Sequence, residues 1–247
     1  MEFCKILPRL QAMALQRILI TNTKGGCGKT TIATNVASHY ANQGLNVRLF
    51  DHDNQGSSLA WLKRRSQQSN LIHGVDASKK ADHRLTRSWQ LRVPAETDIA
   101  VIDSPAGVDI SELAALFQQN DSVIIPVLPS PVDIHATAHF IKELLITGKA
   151  RKQMVRLAVV ANRVRKNTIM YHALEKFLFT LKIPFISSLR DTQLYAKAME
   201  LGVGVQEVKP RANKIDKEQW APIIRWMETP AIAETAEVRP LFSQWEG

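Results

Sequence analysis

One stretch rich in glycine and lysine constrains this chain more than any other feature. Residues 21–31 read Thr-Asn-Thr-Lys-Gly-Gly-Cys-Gly-Lys-Thr-Thr. Arg17–Ile20 before it has strand character, and a helical pattern over Thr31–Gln43 follows it, closed by Gly44. Backbone N–H groups can curl around phosphate oxygens in such a strand–loop–helix context, where glycines leave space and a helix N-terminus adds positive charge. The stretch therefore predicts a phosphate-binding loop, with a ligand-free glycine turn as the alternative.

The polar residues of this loop have predicted tasks. Lys29 would neutralise the β- and γ-phosphates of a bound nucleotide, and the Thr30 hydroxyl would bind Mg²⁺. Five further residues would surround the phosphates: Gly25, Gly26, Cys27, Gly28 and Thr31. The loop departs from the common pattern at Lys24, because an ordinary loop has its first glycine there.

Composition narrows the class of protein further. At 247 residues the chain fits one domain, which we place over 13–230, with an N-terminal extension over 1–12 and a tail over 231–247. A net charge of +9 indicates a polyanionic partner, either nucleic acid or an acidic membrane surface. The two cysteines cannot build a disulfide framework or a four-thiolate metal site within one chain, which fits a reducing cytoplasm. No apolar run approaches the roughly 18 residues that a membrane-spanning helix needs.

Carboxylates follow two further predicted strands. Val47–Phe50 leads directly into Asp51 and Asp53, and the strand Ile99–Asp103 ends in a carboxylate of its own. In a parallel sheet, ligands bind at the edge formed by the carboxyl ends of the strands, which we call the ligand edge. We therefore expect all three carboxylates close to the phosphate-binding loop, although Asp51 and Asp53 alone would also fit a solvated turn.

Predicted strands and helices alternate along the rest of the chain. This alternation, with nearly continuous apolar strands, predicts an α/β fold with a doubly wound, mainly parallel sheet and helices on both faces. The remaining predicted strands are Ser122–Val127, Leu157–Ala161 and Pro184–Ile186, and the remaining helices are Ser57–Gln68, Val132–Thr147, Thr168–Leu181 and Asp216–Met227. No element is assigned to 70–94, which is basic and expected to be exposed.

Two of these motifs resemble those of the ParA/MinD family of deviant phosphate-loop ATPases. Lys24–Thr30 is similar to the family's deviant loop, and 51–56 is similar to its Asp-x-Asp-Pro-Gln-Gly segment, with Asn54 in place of proline. Within the family, the chain looks most like the compact ParA-type partition ATPases that lack an N-terminal helix-turn-helix. The resemblance implies ATP and Mg²⁺ as cofactors.

The resemblance also implies roles for individual residues. By this resemblance, Lys24 reaches across an ATP-sandwiched homodimer to the partner's nucleotide and acts as an arginine finger does. Asp51 and Asp103 would complete the Mg²⁺ shell, and Asp53 would orient the attacking water. Asn162 would read the adenine ring, although an asparagine after a strand is also a common cap.

For the whole protein, the resemblance implies an ATPase that dimerises on ATP, binds double-stranded DNA without sequence preference and is released by slow hydrolysis. Such a cycle segregates or positions a cargo, which could be a plasmid, a chromosome locus or a protein assembly. A ParB-like or other stimulating partner is implied as well. The expected location is cytoplasmic and nucleoid-associated.

Basic charge is concentrated in the second half of the chain. Lys149–Lys217 contains fifteen Lys and Arg residues against five Asp and Glu. A regional excess of this kind is typical of a surface that follows a phosphate backbone. The predicted DNA-contacting residues are Arg163, Arg165, Lys166, Arg190 and Lys197. Each of them would also fit a solvated rim. Arg190 matches the first arginine of a DNA-binding segment of the family, whereas Gln193 replaces the second.

Two other classes share the deviant loop and stay open. A membrane-cycling ATPase of the MinD type needs a basic amphipathic C-terminal helix, and the chain after Pro230 carries Glu234, Glu237 and Glu246 against Arg239 alone. This composition makes a membrane partner the weaker expectation. A small-molecule ligase is the other alternative, whereas the iron–sulfur reductases of the superfamily need cysteines that this chain lacks.

Overall fold

The structure is a computed structural model, and it describes residues 15–66, 69–78, 93–110, 112–113, 121–146, 155–166, 168–180, 183–208 and 213–229. The predicted extension over 1–12 and the predicted tail over 231–247 lie outside the described residues. All five Lys and Arg residues of 70–94 lie outside them as well.

The described residues form a parallel sheet of seven strands in the order β3-β2-β4-β1-β5-β6-β7. The strands are β1 Gln16–Ile20, β2 Val47–Asp51, β3 Ile72–Asp76, β4 Ile99–Asp103, β5 Ser122–Val127, β6 Arg156–Val164 and β7 Phe185–Arg190. The chain fills the β3–β4 side of β1 first and the β5–β7 side afterwards, so the loop after β1 lies at the topological switch point. The predicted doubly wound α/β fold is confirmed.

Helices cover both faces of this sheet. They are α1 Lys29–Asn42, α2 Ser57–Arg64, α3 Pro131–Ile146, α4 Ile169–Thr180, α5 Gln193–Leu201 and α6 Lys214–Glu228, with a short 3₁₀ helix at Val205–Glu207. The structure places α1, α3, α4 and α6 within two residues of their predicted bounds.

The core consists of two layers, one on each face of the sheet. Successive side chains of a strand point to opposite faces, so Ile18 belongs to one cluster of buried residues and Leu19 to the other. Trp61 of α2 and Trp220 of α6 fill the first layer, and Phe140 of α3 lies in the second. Strands that are buried on both faces explain the continuous apolar runs in the sequence.

Helix α2 ends earlier than the sequence pattern predicts. The predicted helix through Gln68 is wrong: the helix ends at Arg64, because Arg65 turns into an extended conformation with ψ of 127°. The Arg65 guanidinium donates to both carboxylate oxygens of Glu207, at 2.8 and 2.9 Å. The Arg65 backbone also packs on Gly202, where an added Cβ would lie 2.3 Å from the Arg65 nitrogen. Contacts between residues far apart in the sequence therefore set this helix end.

Strand β3 has no counterpart in the sequence prediction. It lies at the edge of the sheet, and of its residues only Ile72 is buried. Gly74 at its centre lies against α2, since an added Cβ would lie 2.6 Å from Cδ2 of Leu62. An exposed strand that is interrupted by glycine lacks the apolar pattern from which strands are predicted.

Helix α5 is the second element that the sequence prediction misses. The sequence contains a residue typical of each end of this helix. Thr192 is the N-cap, since its side chain accepts a hydrogen bond from the Leu194 N–H at 3.3 Å. Gly202 ends the helix with φ of 66°. Strand β7 is also longer than predicted and continues past Ile186 to Arg190. The segment around Arg190 is therefore a strand that leads into a capped helix.

Candidate functional site

The predicted phosphate-binding loop connects β1 to α1 at the centre of the ligand edge. Asn22 anchors the loop, because its buried side chain donates to the Pro126 carbonyl oxygen at 2.7 Å on neighbouring β5. Lys29 is only 6% exposed. Its Nζ donates to the carbonyl oxygens of Asn22 at 3.1 Å and Lys24 at 2.9 Å. The loop thus holds one buried ammonium group at the start of α1.

Gly28 is a position that only glycine fits. Its φ of 97° lies in the left-handed region, and an added Cβ would lie 2.0 Å from Nδ2 of Asn162. The same Nδ2 donates to the Cys27 carbonyl oxygen at 2.8 Å, and the Cys27 thiol donates to the Lys24 carbonyl oxygen at 3.3 Å. Burial raises the pKa of the Cys27 thiol. The fold therefore brings Asn162 against the phosphate-binding loop.

Asp51 and Asp103 are direct neighbours, since β2 and β4 pair with these two residues in register. Asp51 is buried and accepts backbone N–H bonds from Asp53 at 3.0 Å and from Ser58 and Leu59 at 3.1 Å. A carboxylate in this place satisfies N–H groups at the start of α2. The structure thus shows that Asp51 holds the start of that helix, and its part in a Mg²⁺ shell stays a prediction.

Asp103 is the more unusual of the two carboxylates. It is 1% exposed, and its Oδ2 accepts a hydrogen bond from the Ser58 hydroxyl at 3.0 Å. Its Oδ1 is buried and accepts no hydrogen bond of normal geometry from the described residues, although the Thr30 hydroxyl interacts with the carboxyl group. Burial, with a smaller contribution from Asp51, raises the pKa of Asp103 to about 7.

An unpartnered carboxylate oxygen beside a threonine hydroxyl suits a hard cation. Mg²⁺ is usually bound by one or two carboxylates together with substrate phosphates rather than by a cage of protein ligands. No group of three or more His, Cys, Asp or Glu side chains that could hold a metal occurs in the part of the chain that the structure describes. Asp103 and Thr30 therefore fit a Mg²⁺ ion that is shared with a nucleotide.

Asp53 lies at the ligand edge in a tight turn after β2. It is partly exposed, its Oδ1 accepts the Gln55 N–H at 2.9 Å, and its carbonyl oxygen accepts the Gly56 N–H at 2.9 Å. Gly56 ends the turn with φ of 62°. A turn, which the sequence analysis gives as the alternative for this segment, is present, and it keeps the Asp53 carboxylate partly accessible. A role of Asp53 in hydrolysis stays a prediction.

A cleft of about 280 Å³ opens beside the phosphate-binding loop. The loop lines one side of it, and β6, β7 and α5 line the other. Residues on that second side include Asn162, Arg163, Arg190, Thr192, Tyr195 and Met199. Sequence reasoning missed the last three because it missed α5, which the capping pair of Thr192 and Gly202 could have revealed. The role of Asn162 in adenine recognition stays a prediction.

The end of β6 carries an irregularity at the cleft. The sequence analysis places Asn162 and Arg163 after a strand that ends at Ala161, but both lie within β6, whose pairing with β7 shifts between Ala161 and Val164. Arg163 has φ of 52°, which is rare for a residue other than glycine. Its N–H donates to the Asn162 side-chain oxygen at 2.9 Å, which helps to hold this conformation.

The predicted DNA-contacting residues fall into two groups. Four of them are exposed: Arg163, Arg165, Lys166 and Lys197. Arg190 differs, because its guanidinium donates to both oxygens of Asp216, at 2.7 and 3.0 Å. Asp216 is fully buried, and Arg190 keeps 32% of its side chain exposed. Arg190 therefore belongs to an ion pair that ties β7 to α6, and a contact with DNA stays a prediction.

This fold and this ligand edge define a class of protein. A parallel sheet whose central strand leads into a glycine-rich loop with a buried lysine, and whose next strand ends in a buried carboxylate, is typical of phosphate-loop nucleotide-binding domains. Sequence comparison then identifies the family. Residues 18–205 match the model of the CobQ/CobB/MinD/ParA nucleotide binding domain. The chain belongs to this family.

Individual relatives agree with this assignment. The chain is 30% identical over 202 residues to the maintenance of carboxysome distribution protein A of Halothiobacillus neapolitanus, which covers 81% of this chain and 91% of the relative. An ATP complex of McdA from Cyanothece superposes with a TM-score of 0.60 at 18% identity, over 85% of this chain and 96% of that one. The MinC:MinD cell division complex of Aquifex aeolicus gives 0.62 at 19% identity, over 92% and 98%. At these identities the two structures show a common fold.

Proposed function

We propose that this chain is an ATPase that dimerises around ATP, binds double-stranded DNA nonspecifically as a dimer, leaves the DNA after hydrolysis and so positions a cargo. The ligand edge carries the proposal. The phosphate-binding loop and the buried carboxylates, at the ends of β1, β2 and β4, share this edge with basic residues at the ends of β6 and β7. One cleft is lined by loop residues on one side and by Arg163 and Arg190 on the other. A nucleotide in this cleft would therefore contact the loop and the basic residues together.

Hydrolysis of ATP requires groups that stabilise the charge on the transferred phosphoryl group and a group that positions the attacking water. Lys29 offers a buried ammonium group where the phosphates would lie. Thr30 and Asp103 would hold Mg²⁺, which when bound neutralises charge on the β- and γ-phosphates. Asp53, in its partly exposed turn, would orient the attacking water.

Lys24 is proposed to act on the nucleotide of the partner in a homodimer. Its backbone is built into its own loop, since its N–H donates to the Asn22 side-chain oxygen at 3.2 Å and its carbonyl oxygen accepts from Lys29. Lys29 already fills the place of the ordinary loop lysine. The Lys24 side chain is then left for a task outside its own loop, which a second subunit would supply.

The similarity to a carboxysome distribution protein supports a protein assembly as the cargo. A plasmid or chromosome locus is the alternative, because more distant relatives are partition proteins. A ParB-like or other partner that stimulates slow hydrolysis belongs to the proposal, and so does a cytoplasmic, nucleoid-associated location.

Duplex DNA binding over a salt series tests this function. With a nonhydrolysable ATP analogue, log affinity should fall with log salt by about 0.9 per phosphate contact, whatever the DNA sequence. Replacing Arg165 and Lys166 by alanine should lower the affinity and reduce the slope by about 2. Arg48→Ala is the matched control, because Arg48 lies on β2 away from the cleft and donates to Thr97 at 3.1 Å.

Two other results would contradict DNA as the partner. ATP-dependent pelleting with anionic vesicles, without affinity for duplex DNA at low salt, would support a membrane-cycling ATPase of the MinD type. Hydrolysis that responds to a small substrate and ignores DNA would support a ligase. None of the helices in the described part of the chain is long and apolar enough to cross a membrane.

A further inference from the structure

Ser58 connects the two buried carboxylates of the ligand edge, Asp51 and Asp103. It is the second residue of α2 and is fully buried. Its backbone N–H donates to Oδ2 of Asp51 at 3.1 Å, and its hydroxyl donates to Oδ2 of Asp103 at 3.0 Å. The backbone bond stabilises the start of a helix, and most other residues at this position could make it too. The hydroxyl bond depends on the serine side chain, and it connects α2 to β4.

The hydroxyl bond limits how the Asp103 carboxylate can turn. The last torsion of an aspartate side chain is broad, so an unrestrained carboxylate has no fixed orientation. Here the Ser58 hydroxyl occupies Oδ2, and Oδ1 is the oxygen left without a normal hydrogen bond among the described residues. The serine thus decides which oxygen is available to a cation.

Ser58 also follows closely after the turn that carries Asp53. This turn leaves β2 at Asp51 and enters α2 at Ser57. Asp51 accepts the N–H groups of Asp53 within the turn and of Ser58 just after it. A change in the orientation of Asp103 would therefore be felt at the end of the turn through one side-chain bond. Ser58 is the described residue that makes both contacts.

We propose that Ser58 is a positioning residue for the metal-dependent step: its hydroxyl orients Asp103 for Mg²⁺ and couples the ion to the turn that holds Asp53. The inference rests on the proposed ATPase function and goes beyond it, because it assigns a task to a residue outside the loop and the aspartates. Partners that hydrogen-bond a ligating carboxylate commonly change metal affinity by about 10- to 100-fold when they are removed.

Ser57 provides a matched control. It is also a serine in the first turn of α2, but it is partly exposed and its hydroxyl makes no hydrogen bond to the described residues. Ser58→Ala removes the hydroxyl bond and keeps the backbone N–H to Asp51. Alanine is smaller than serine and favours a helix more strongly, so this variant should fold. Ser58→Thr keeps a hydroxyl and tests for rescue.

The experiment is a Mg²⁺ titration of nucleotide binding, followed with a fluorescent ATP analogue, which does not depend on turnover. In EDTA, Ser58→Ala should bind the analogue as the wild-type protein does, which shows that the loop is folded. The Mg²⁺ concentration at which the nucleotide affinity has increased half-maximally should be about tenfold higher, or more, in Ser58→Ala than in the wild-type protein. Ser57→Ala should match the wild-type protein, and Ser58→Thr should lie closer to it than Ser58→Ala does.

Hydrogen exchange of the turn gives a second, independent readout. Mg²⁺ added to the ATP complex should slow amide exchange over 52–57 in the wild-type protein and in Ser57→Ala, but not in Ser58→Ala at a Mg²⁺ concentration that saturates its binding. Equal Mg²⁺ midpoints for Ser58→Ala and Ser57→Ala would overturn the proposal. A wild-type protein whose nucleotide binding ignores Mg²⁺ would instead refute the ATPase function, so the two failures are distinguishable.

Discussion

The part of the ligand edge for which we propose catalysis, at the ends of β1, β2 and β4, holds buried charged groups, and we call it the catalytic half. The basic half, at the ends of β6 and β7, is largely exposed. In the catalytic half, Lys29 and Asp51 are at most 6% exposed and bond mainly to backbone groups within eight positions in the sequence. In the basic half, the ion pairs of Arg165 with Asp191 and of Arg190 with Asp216 each join residues 26 positions apart.

This difference separates two kinds of functional residue. A buried charge loses its hydration and needs hydrogen bonds to compensate for that loss. A buried site therefore holds its charged groups in fixed positions, but their burial lowers the free energy of unfolding. Exposed charges cost little to hold and contribute little to stability. We therefore expect substitutions in the catalytic half to change stability or nucleotide binding strongly, and those in the exposed basic half to act on binding to polyanions alone.

The largest expected effect is a gain of stability in Asp103→Asn. An aspartate in the unfolded chain ionises near 3.8, whereas Asp103 in the fold has a pKa of about 7. Between these values the folded state binds more protons than the unfolded state, so the wild-type protein loses stability as pH rises through this range and the loss is complete above it. At about 1.36 kcal/mol per unit, the loss amounts to roughly 4 kcal/mol.

Urea unfolding in EDTA at pH 4 and pH 8 measures this prediction. The drop in unfolding free energy between the two pH values should be smaller in Asp103→Asn than in the wild-type protein, and the variant should be the more stable of the two at pH 8. It should also lose the effect of Mg²⁺ on nucleotide affinity. Equal drops in both proteins would mean that burial of this carboxyl group costs the fold nothing.

The catalytic half also shows how much of the site is readable from the sequence. The loop over 21–31 and the carboxylates Asp51 and Asp103 were predicted where the structure has them, because a motif encodes its own backbone contacts over a few residues. Ser58 was missed in the same half. Its hydroxyl bond to Asp103 spans 45 positions, and no local pattern distinguishes it from Ser57.

In the basic half, sequence reasoning identified the charges but not their partners. Arg190 was predicted as a DNA-contacting residue because it matches an arginine of the family's DNA-binding segment, whereas its buried partner Asp216 lies in helix α6. Strand β3 was missed because its exposed, glycine-interrupted sequence carries no apolar pattern. The fold class could still be predicted, since it depends on the buried strands, and their apolar runs are strong.

The next largest effect should follow from Lys29→Ala in the catalytic half. Loss of the buried ammonium group removes the charge that the loop aims at the phosphates, and removal of one partner from a buried charge contact costs about 3 kcal/mol, or about 100-fold in affinity. The affinity for a fluorescent ATP analogue, measured by titration at a fixed Mg²⁺ concentration, shows this loss.

Lys24→Ala is the control, since it removes a lysine from the same loop. It should keep most of the nucleotide affinity and fail to dimerise on a nonhydrolysable analogue, as light scattering would show. Normal dimerisation of Lys24→Ala would remove the proposed contact with the partner's nucleotide. Equal losses of affinity in both variants would mean that the loop uses its two lysines alike.

The smallest effects distinguish two ion pairs of the basic half, those of Arg190 and Arg165. Arg190→Ala leaves the buried Asp216 carboxylate without its partner. Where both groups of an ion pair are buried, removal of one partner lowers the free energy of unfolding by roughly 3 to 5 kcal/mol. Because Arg190 is partly exposed and Asp216 lies in the first turn of α6, where a helix stabilises a negative charge, we expect about 2 kcal/mol. Urea unfolding at neutral pH measures the difference.

Arg165→Ala is the matched control in this half. Arg165 donates to Asp191 at 2.7 Å, the same distance as the shorter Arg190 bond, but its side chain is 78% exposed. An exposed pair contributes at most about 1 kcal/mol, so this variant should unfold almost as the wild-type protein does while losing affinity for duplex DNA. Equal losses of stability would show that both arginines hold the fold. A weaker DNA affinity in Arg190→Ala can be assigned to a DNA contact only under conditions in which the variant remains folded, because unfolding by itself would abolish binding.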